Sequence, residues 1–378
     1  MKKIALIGST GSIGRQTLSV VHRHPDKFKI VSLAAGNNAG EFLKQVQEFK
    51  PAVATLACGL DGTQLLKSTE YFFGEDSFKN AIVDQADIVV VALVGFKGLI
   101  AVLDAIEKGK DIALANKESL VVGGELVMQK AKEKGVKIMP VDSEHSAVWQ
   151  ALGFDYQKSF SRIILTASGG AFRDLSKEQL ESVTAEQALK HPNWNMGAKI
   201  TVDCATLVNK AFEVIEAKWL YNTTFDKIDV IVHRESIIHS LVEFSDGAVM
   251  AQMSYPSMEL PIQLALTYPE RFDAGLKPLD LASIRNLSFE NLDKERFPCF
   301  DLVVQAGKMG GPLPAVANSA NERAVDLFLK GKISYKDIYK SIYGALQSFD
   351  GGHHVHLDDL IEADAFARKY VDDLFGVK

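Results

Sequence analysis

The chain has 378 residues, 47% of them hydrophobic, with 42 Lys plus Arg against 48 Asp plus Glu and a formal net charge of −6. That length exceeds one ordinary core and predicts two or three domains, and the basic residues form no stripe that would follow a nucleic-acid backbone. Three scattered cysteines, Cys58, Cys204 and Cys299, fit neither a disulfide framework nor a zinc spacing, so a reducing, cytoplasmic setting is expected.

The opening Met1 to Ile7 imitates a signal peptide only briefly, because the apolar run breaks at Gly8, and it reads better as a first strand. Short apolar runs then alternate with longer amphipathic ones: Lys3 to Ile7, Ile30 to Ala35, Val53 to Leu56, Ile88 to Leu93, Ile112 to Ala115 and Val136 to Val141. This rhythm predicts an α/β fold that begins with a Rossmann-like, doubly wound parallel sheet over residues 1–142. The longest apolar run, Ile88 to Phe96, is far below the ~18 residues of a membrane span, so no membrane partner is expected.

From 143 to 270 the pattern becomes α+β, with a strand at Arg162 to Ala167 and extended runs at Asp229 to His233, Ser240 to Phe244 and Val249 to Met253. Asp246-Gly247 marks a hairpin turn between the last two. Prolines and glycines among mixed charges suit a linker over 271–300, and residues 301–378 read as a C-terminal helical bundle. In its last helix Leu360, Ala363, Ala367, Tyr370 and Leu374 give one apolar face, and the preceding His353-His354-Val355-His356 reads as a solvated loop.

Gly8-Ser9-Thr10-Gly11-Ser12-Ile13-Gly14 follows the first strand and opens a helix. Glycines at that spacing suit a tight turn, close approach to a pyrophosphate and packing of helix on strand, although Thr10 stands where the second glycine of the usual dinucleotide fingerprint would be. After the second strand the chain reads Ala34-Ala35-Gly36-Asn37-Asn38, with no carboxylate to hold a ribose diol or repel a 2′-phosphate. That absence favours NADPH over NADH.

Other strand ends carry chemistry too. Lys117, in Asn116-Lys117-Glu118, can donate to a substrate oxygen or serve as a surface lysine beside Glu118. Asp142-Ser143-Glu144 offers hard oxygen ligands where a strand stops, yet by itself reads first as a helix N-terminus. Ser168-Gly169-Gly170 is either an anion nest or a turn. In the helix expected from Ala205, Asn209 and Glu213 share a face, and Asn209 with Lys210 can hold a phosphate near Cys204, or form an ordinary exposed face. His191-Pro192-Asn193-Trp194-Asn195-Met196-Gly197 has the composition of a lid, or of a loop anchored by Trp194.

GSTGSIG at the start, LANKESLV around Lys117, PVDSEHSA around Asp142, TASGGAF around Ser168, HPNWNMG around Trp194, the Ala205 to Glu213 segment, SIIHSLVEF, LPIQLALTYPER and NSANERAV occur in this order. Across its whole length the chain thereby resembles the 1-deoxy-D-xylulose 5-phosphate reductoisomerase family. The resemblance implies an NADPH-dependent conversion of 1-deoxy-D-xylulose 5-phosphate to 2-C-methyl-D-erythritol 4-phosphate, a step toward isoprenoid precursors. It implies that Thr10, Gly11, Ser12, Ile13, Gly36, Asn37, Asn38, Asn116, Glu118 and Gly197 contact NADPH. One divalent cation, Mg²⁺, Mn²⁺ or Co²⁺, would lie on Asp142, Glu144 and Glu213, which with Lys117 form the catalytic set. Lys117, Ser143, Glu144, Ser168, His191, Cys204, Asn209, Lys210 and Glu213 would surround the sugar phosphate, with Trp194 and Met196 on a closing flap near 191–197. The 143–270 region would be the catalytic and dimerisation domain of a homodimer.

Two positions depart from the family pattern: Cys204 stands where Ser is common, and Asn37 where Lys or Arg is frequent. A thiol donates more weakly than a hydroxyl, and loss of a cation near the ribose softens the NADPH preference. Two rival readings remain at this stage. A semialdehyde or homoserine-type dehydrogenase with structural carboxylates would resist chelators, and a dinucleotide sensor without turnover would not oxidise NADPH when substrate is added.

Overall fold

The computed structural model describes residues 1–60, 65–352 and 354–377, so His353 of the histidine cluster lies outside the described residues. The chain forms two compact units: Met1–Asn116 with Val127–Ser146 and Ser257–Leu276, and Lys117–Leu126 with Ala147–Pro256 and Lys277–Lys378. Among the described residues, no helix is long and apolar enough to cross a membrane.

The first unit is built on seven strands: β1 Lys2–Ile7, β2 Phe28–Ala35, β3 Val53–Leu56, β4 Glu70–Phe73, β5 Ile88–Val91, β6 Asp111–Leu114 and β7 Ile138–Pro140. They lie in the order β4-β3-β2-β1-β5-β6-β7, all parallel. Ile88-Val89-Val90-Val91 is buried throughout, as a central strand covered on both faces must be. The winding reverses between β1 and β5, the place where doubly wound sheets open a crevice at their carboxyl ends. The sequence pattern missed β4, a short edge strand whose Glu-Tyr-Phe-Phe is half exposed and lacks the buried apolar run of the others.

Residues 257–276 return to this unit. Their helix, Glu259–Thr267, is tied to the helix Ser12–Arg23 by Arg23 Nη2 to Glu259 Oε2 (2.5 Å) and Ser19 Oγ to Glu259 Oε1 (2.9 Å). Lys2 Nζ donates to the Leu266 carbonyl at 2.6 Å. The helix is buried almost all round, so its sequence carries little helical periodicity.

The second unit holds a mixed sheet of β8 Arg162–Ala167, β9 Ile228–Val232, β10 Ile238–Glu243, β11 Val249–Met253 and β12 Glu290–Asn291, in the order β11-β10-β8-β9-β12. Gly247 (φ 84°) turns the expected β10–β11 hairpin. Four long helices follow, Cys299–Met309, Leu313–Leu329, Tyr335–Ser348 and Leu357–Phe375. In the last, the buried stripe is Leu360, Ala363, Ala367 and Val371, while Leu374 is 46% exposed. Tyr370 lies at the edge of that stripe, and Leu374, although it continues the 3.6-residue period, is in the last turn of the helix, where it is left exposed. The segment expected as a linker contains β12 and the short helix Leu281–Ile284.

The glycines of the first loop differ in what constrains them. Gly8 has φ 97°, and a Cβ there would stand 2.4 Å from the Ala92 carbonyl oxygen. At Gly14 the added carbon would meet the carbonyl oxygens of Gly8 and Ser9 at 2.2 and 2.5 Å, so the helix can approach the loop only with no side chain. Gly11 has φ −73°, and its added carbon would meet Gly8 O at 3.4 Å. Gly14→Ala is therefore expected to cost about 2 kcal/mol or more, and Gly11→Ala under about 1 kcal/mol. Thermal melting of the two variants checks this, and equal melting temperatures would contradict the close approach at Gly14.

Candidate active site

At the carboxyl edge of the first unit's sheet, the helix Ser12–Arg23 begins from Gly11 with no side-chain cap and no acidic residue in its first turn. Its leading N–H groups and dipole therefore face outward as an anion site. Thr10, Ser12 and Ile13 are half-buried around it. Beyond β2, Gly36, Asn37 and Asn38 are exposed, and Asn38 Oδ1 caps the next helix by accepting from Glu41 N (3.2 Å). Beyond β6, Asn116 is buried and donates from Nδ2 to the carbonyls of Leu93 (3.0 Å) and Gly95 (3.1 Å). It lies against Gly98, where any Cβ would fall 2.0 Å from its Oδ1.

Asp142 follows β7 and precedes the helix Ser143–Ala151. Its carbonyl accepts from Ser146 N (2.8 Å), its Oδ1 accepts from Ser143 N (3.1 Å), and Ser143 Oγ donates to Glu144 Oε2 (2.5 Å). The helix-start role is thus occupied, with both carboxylates half-buried at the strand end.

In the second unit the segment expected as one helix from Ala205 is two, Ala198–Thr206 and Val208–Leu220, broken at Leu207. Leu207 has φ 62°, a left-handed conformation that a branched residue adopts only under constraint. Its side chain is buried, its N–H donates to Cys204 O, and its carbonyl accepts from Ala211 N. Nearly every residue of Val208–Leu220 is buried, so Asn209, Lys210 and Glu213 are not an ordinary exposed face. Glu213, 1% exposed, accepts from Lys117 Nζ (3.1 Å) and Asn209 Nδ2 (2.6 Å) at one oxygen and meets Lys210 Nζ at the other. Lys117 Nζ also donates to Asn209 Oδ1 at 2.8 Å, and Lys210 Nζ to the Thr166 carbonyl at 2.5 Å.

A second group was not visible from the sequence. Lys199 Nζ pairs with Glu118 Oε1 (2.7 Å) and Asp203 Oδ2 (2.9 Å), and Asn321 Nδ2 donates to Asp203 Oδ1 (2.8 Å). Burial opposes charge on Lys199, but Asp203 and Glu118 outweigh it and hold the ammonium well above its usual range. Burial likewise opposes the Glu118 carboxylate, and Lys199 more than offsets it. The i,i+4 spacing of Lys199 and Asp203 was the only hint in the sequence.

Ser168 leaves β8 into a turn in which Gly170 N donates to Ser168 Oγ (3.2 Å), so the Ser168-Gly169-Gly170 segment is turn-like and Gly170 N–H is already used. Gly170 packs on the backbone of Cys204, where an added Cβ would lie 2.3 Å from the Cys204 carbonyl oxygen. His191 Nδ1 accepts from Asn193 N (3.2 Å) and Trp194 N (3.0 Å), and its Nε2 lies 2.9 Å from Ser168 Oγ. Two donors on Nδ1 place the proton of the neutral ring on Nε2. Burial, assisted by the Arg173 cation, pushes the His191 pKa down to about 4. Burial raises the Cys204 thiol well above its usual range, so it stays protonated.

The loop 191–197 is anchored by Asn193 Nδ2, which donates to Arg234 O (2.6 Å) and Ser236 Oγ (2.7 Å). Trp194 stands edge-on to His239 at 6.0 Å between centroids. Met196 is half-buried, and Gly197 caps the helix Ala198–Thr206.

Residues 4–124 match the 1-deoxy-D-xylulose 5-phosphate reductoisomerase family, 138–221 the C-terminal domain of that enzyme, and 253–370 the DXP reductoisomerase C-terminal domain. A 1-deoxy-D-xylulose 5-phosphate reductoisomerase of Exiguobacterium sibiricum is 51% identical over 380 aligned residues, covering 99% of each chain. One from a Geobacillus species is 49% identical over 99% of this chain and 100% of its own. A crystal structure of DOX-P reductoisomerase with NADPH, fosmidomycin and magnesium superposes with a TM-score of 0.93 at 35% identity, over 100% of this chain and 99% of that one. The Zymomonas mobilis reductoisomerase in complex with NADPH gives 0.91 at 37% identity, over 99% of each. With three domain matches in order and half its residues shared with a full-length relative, the chain belongs to the 1-deoxy-D-xylulose 5-phosphate reductoisomerase family.

Proposed function

We propose that the chain catalyses the NADPH-dependent conversion of 1-deoxy-D-xylulose 5-phosphate to 2-C-methyl-D-erythritol 4-phosphate, supplying isoprenoid precursors. The observation that carries this reading is the full-length family match, made by a chain that retains a buried Lys117-Asn209-Glu213-Lys210 cluster. That match sets aside the dehydrogenase alternative.

NADPH would lie on Thr10, Gly11, Ser12 and Ile13, with Gly36, Asn37, Asn38, Asn116, Glu118 and Gly197 completing its contacts. The uncapped helix start without an acidic first turn fits a pyrophosphate, and the exposed Gly36-Asn37-Asn38 segment offers no carboxylate to repel a 2′-phosphate. When bound, the cofactor supplies the hydride.

Asp142, Glu144 and Glu213 would hold the divalent cation. Their donors are hard carboxylate oxygens, the ligands such an ion selects, and Asp142 gives only one of its oxygens to the Ser143 N–H. When bound, it polarises carbonyl oxygen as a Lewis acid.

The chain's own side chains do the remaining work. Lys117, oriented by Asn209 and Glu213, donates to a substrate oxygen. Ser143 contributes from the helix start after β7. Ser168, neutral His191 through its Nε2–H, Cys204, Asn209 and Lys210 surround the phosphate, and binding this remote group supplies energy for ordering the site. Trp194 and Met196 on the 191–197 segment exclude water. The protein acts as a cytoplasmic homodimer. Support for the dimer comes from β11, an outer strand on which Val249 and Met250 are 47% and 53% exposed.

Adding 1-deoxy-D-xylulose 5-phosphate to the protein with NADPH should produce a fall in NADPH absorbance that a chelator abolishes and Mg²⁺ or Mn²⁺ restores. No substrate-dependent oxidation would overturn the reading. Glu213→Gln should lower kcat by ~100-fold or more while NADPH affinity, followed by fluorescence titration, stays within about 2-fold; equal loss of both would count against the metal role. Cys204→Ser should preserve or lower the KM for the sugar phosphate, since a hydroxyl donates better than a thiol. A large rise in KM would show that the thiol itself is required.

His191 carries a pH dependence of defined sign. Its folded pKa of about 4 lies below the ordinary 6.5, so its contribution to ordering the 191–197 loop is complete above pH 6.5. That contribution is lost as pH falls from 6.5 through 4, because a proton on Nδ1 displaces the bonds from Asn193 and Trp194. An imidazole NMR titration should give a midpoint near 4 together with a change in Trp194 fluorescence. A midpoint at or above 6.5 would refute the tautomer assignment.

A further inference from the structure

The Ser168 end of β8 is held at two points, and both lead to the 191–197 loop. β8 and β9 run parallel as far as Ala167 and Val232, and His233 N donates to the Ala167 carbonyl at 2.7 Å. Beyond them the Ser168 and Arg234 carbonyls are both acceptors and cannot pair with each other. Arg173 joins them: its Nη1 donates to Ser168 O (3.1 Å) and to Arg234 O (3.2 Å). The Arg234 carbonyl takes a second donor from the loop, Asn193 Nδ2 at 2.6 Å, and the same amide donates to Ser236 Oγ at 2.7 Å. His191, two residues before Asn193, returns to Ser168, with Nε2 at 2.9 Å from Oγ. The path is closed, running from Ser168 O through Arg173, the Arg234 carbonyl and Asn193 to His191, and from there to Ser168 Oγ.

Arg173 is itself fixed from outside that path. Its carbonyl accepts from Arg296 Nη1 (2.9 Å), which also reaches Leu175 O (2.7 Å). Its stem lies on Gly169 (φ 83°), where an added Cβ would stand 2.9 Å from Arg173 Cβ and 3.3 Å from Cδ. The Arg173 side chain is 21% exposed, and its Nε is 3.7 Å from Asp174 Oδ2, beyond hydrogen-bond length. The guanidinium therefore acts chiefly on main-chain carbonyls, as a charge-assisted donor stronger than a neutral one. Removing it would take a donor from both strand ends at once.

We propose that Arg173 is a positioning residue that links the phosphate-binding end of β8 to the 191–197 loop, so that a phosphate monoester bound at Ser168 orders the segment carrying Trp194 and Met196. This rests on the reading of Ser168 and His191 as phosphate contacts. Without the link, phosphate would still bind, but its binding energy would not be used to order the loop, and such uncoupling lowers kcat rather than raising KM.

The test is a double-mutant cycle of Arg173→Met and Asn193→Ala in the full-length protein with Mg²⁺, NADPH and sugar phosphate. Arg173→Met should lower kcat by ~10-fold or more while KM for the sugar phosphate stays within ~3-fold. Asn193→Ala removes the next link and should show the same split, and the double variant should fall no more than ~2-fold below the weaker single variant. A rise in KM at unchanged kcat would make Arg173 a phosphate ligand, and losses that multiply would make the two residues independent; either overturns the proposal. If Arg173→Met does not fold, Arg173→Gln, too short to reach both carbonyls, replaces it, and circular dichroism and melting confirm that folded proteins are compared. If the native protein shows no substrate-dependent oxidation, the functional reading fails instead. The link is then decided with inorganic phosphate alone, by the NMR signal of the Trp194 indole N–H: movement in the native protein that is absent from the Arg173 variant at saturating phosphate upholds it, and movement in both, or in neither, overturns it.

Discussion

The second unit depends on keeping ionised side chains in its interior. An ion removed from water loses several kcal/mol of solvation even after relaxation, and stripping one partner from a buried pair typically costs about 3–5 kcal/mol. Glu213, Lys210, Lys117, Asp203 and Glu118 are all buried, so each carboxylate must be met at a fixed distance by a cation or an amide donor. Such pairing permits Val208–Leu220 to be buried on nearly every side while carrying Asn209, Lys210 and Glu213.

The break at Leu207 serves that pairing. A continuous α-helix would advance about 100° per residue from Cys204 to Glu213. One left-handed residue lets the two helices point their side chains independently, so Lys199 and Asp203 meet Glu118 while Asn209, Lys210 and Glu213 meet Lys117. The strained backbone is held from both sides: the Leu207 side chain is buried, and Tyr335 Oη donates to the Ala205 carbonyl at 2.8 Å. The C-terminal helices thus do more than close the unit. Through Asn321 and Tyr335 they fix the segment from which the charge pairs project.

Legibility in the sequence followed the range of the interactions. The parallel sheet and its crest at Gly8, Gly36, Asn116 and Asp142 were readable because each strand carries its own apolar run and each end its own polar punctuation. The place of the helix Glu259–Thr267 in the first unit is not legible in the sequence, since burial on nearly all sides erases periodicity and its ties are to Lys2, Ser19 and Arg23, far away in the chain. β12 is two exposed polar residues and β4 only four residues at the sheet edge, too short for its Tyr71-Phe72-Phe73 to stand out as a strand. Little in the local sequence marks Lys199, because its partners come from positions 118, 203 and 212.

Asp142-Ser143-Glu144 shows why a local reading can be right without deciding function. Capping takes the Asp142 carbonyl for Ser146 N and one carboxylate oxygen for Ser143 N–H. An ionised carboxylate has two oxygens and about four acceptor directions, so one capping bond leaves its capacity for other ligands largely intact. The residues favoured at helix starts, short and oxygen-bearing, are also those that hard cations select. A helix that begins at the carboxyl end of a strand brings the two uses to one place, so capping is no evidence against ligation there.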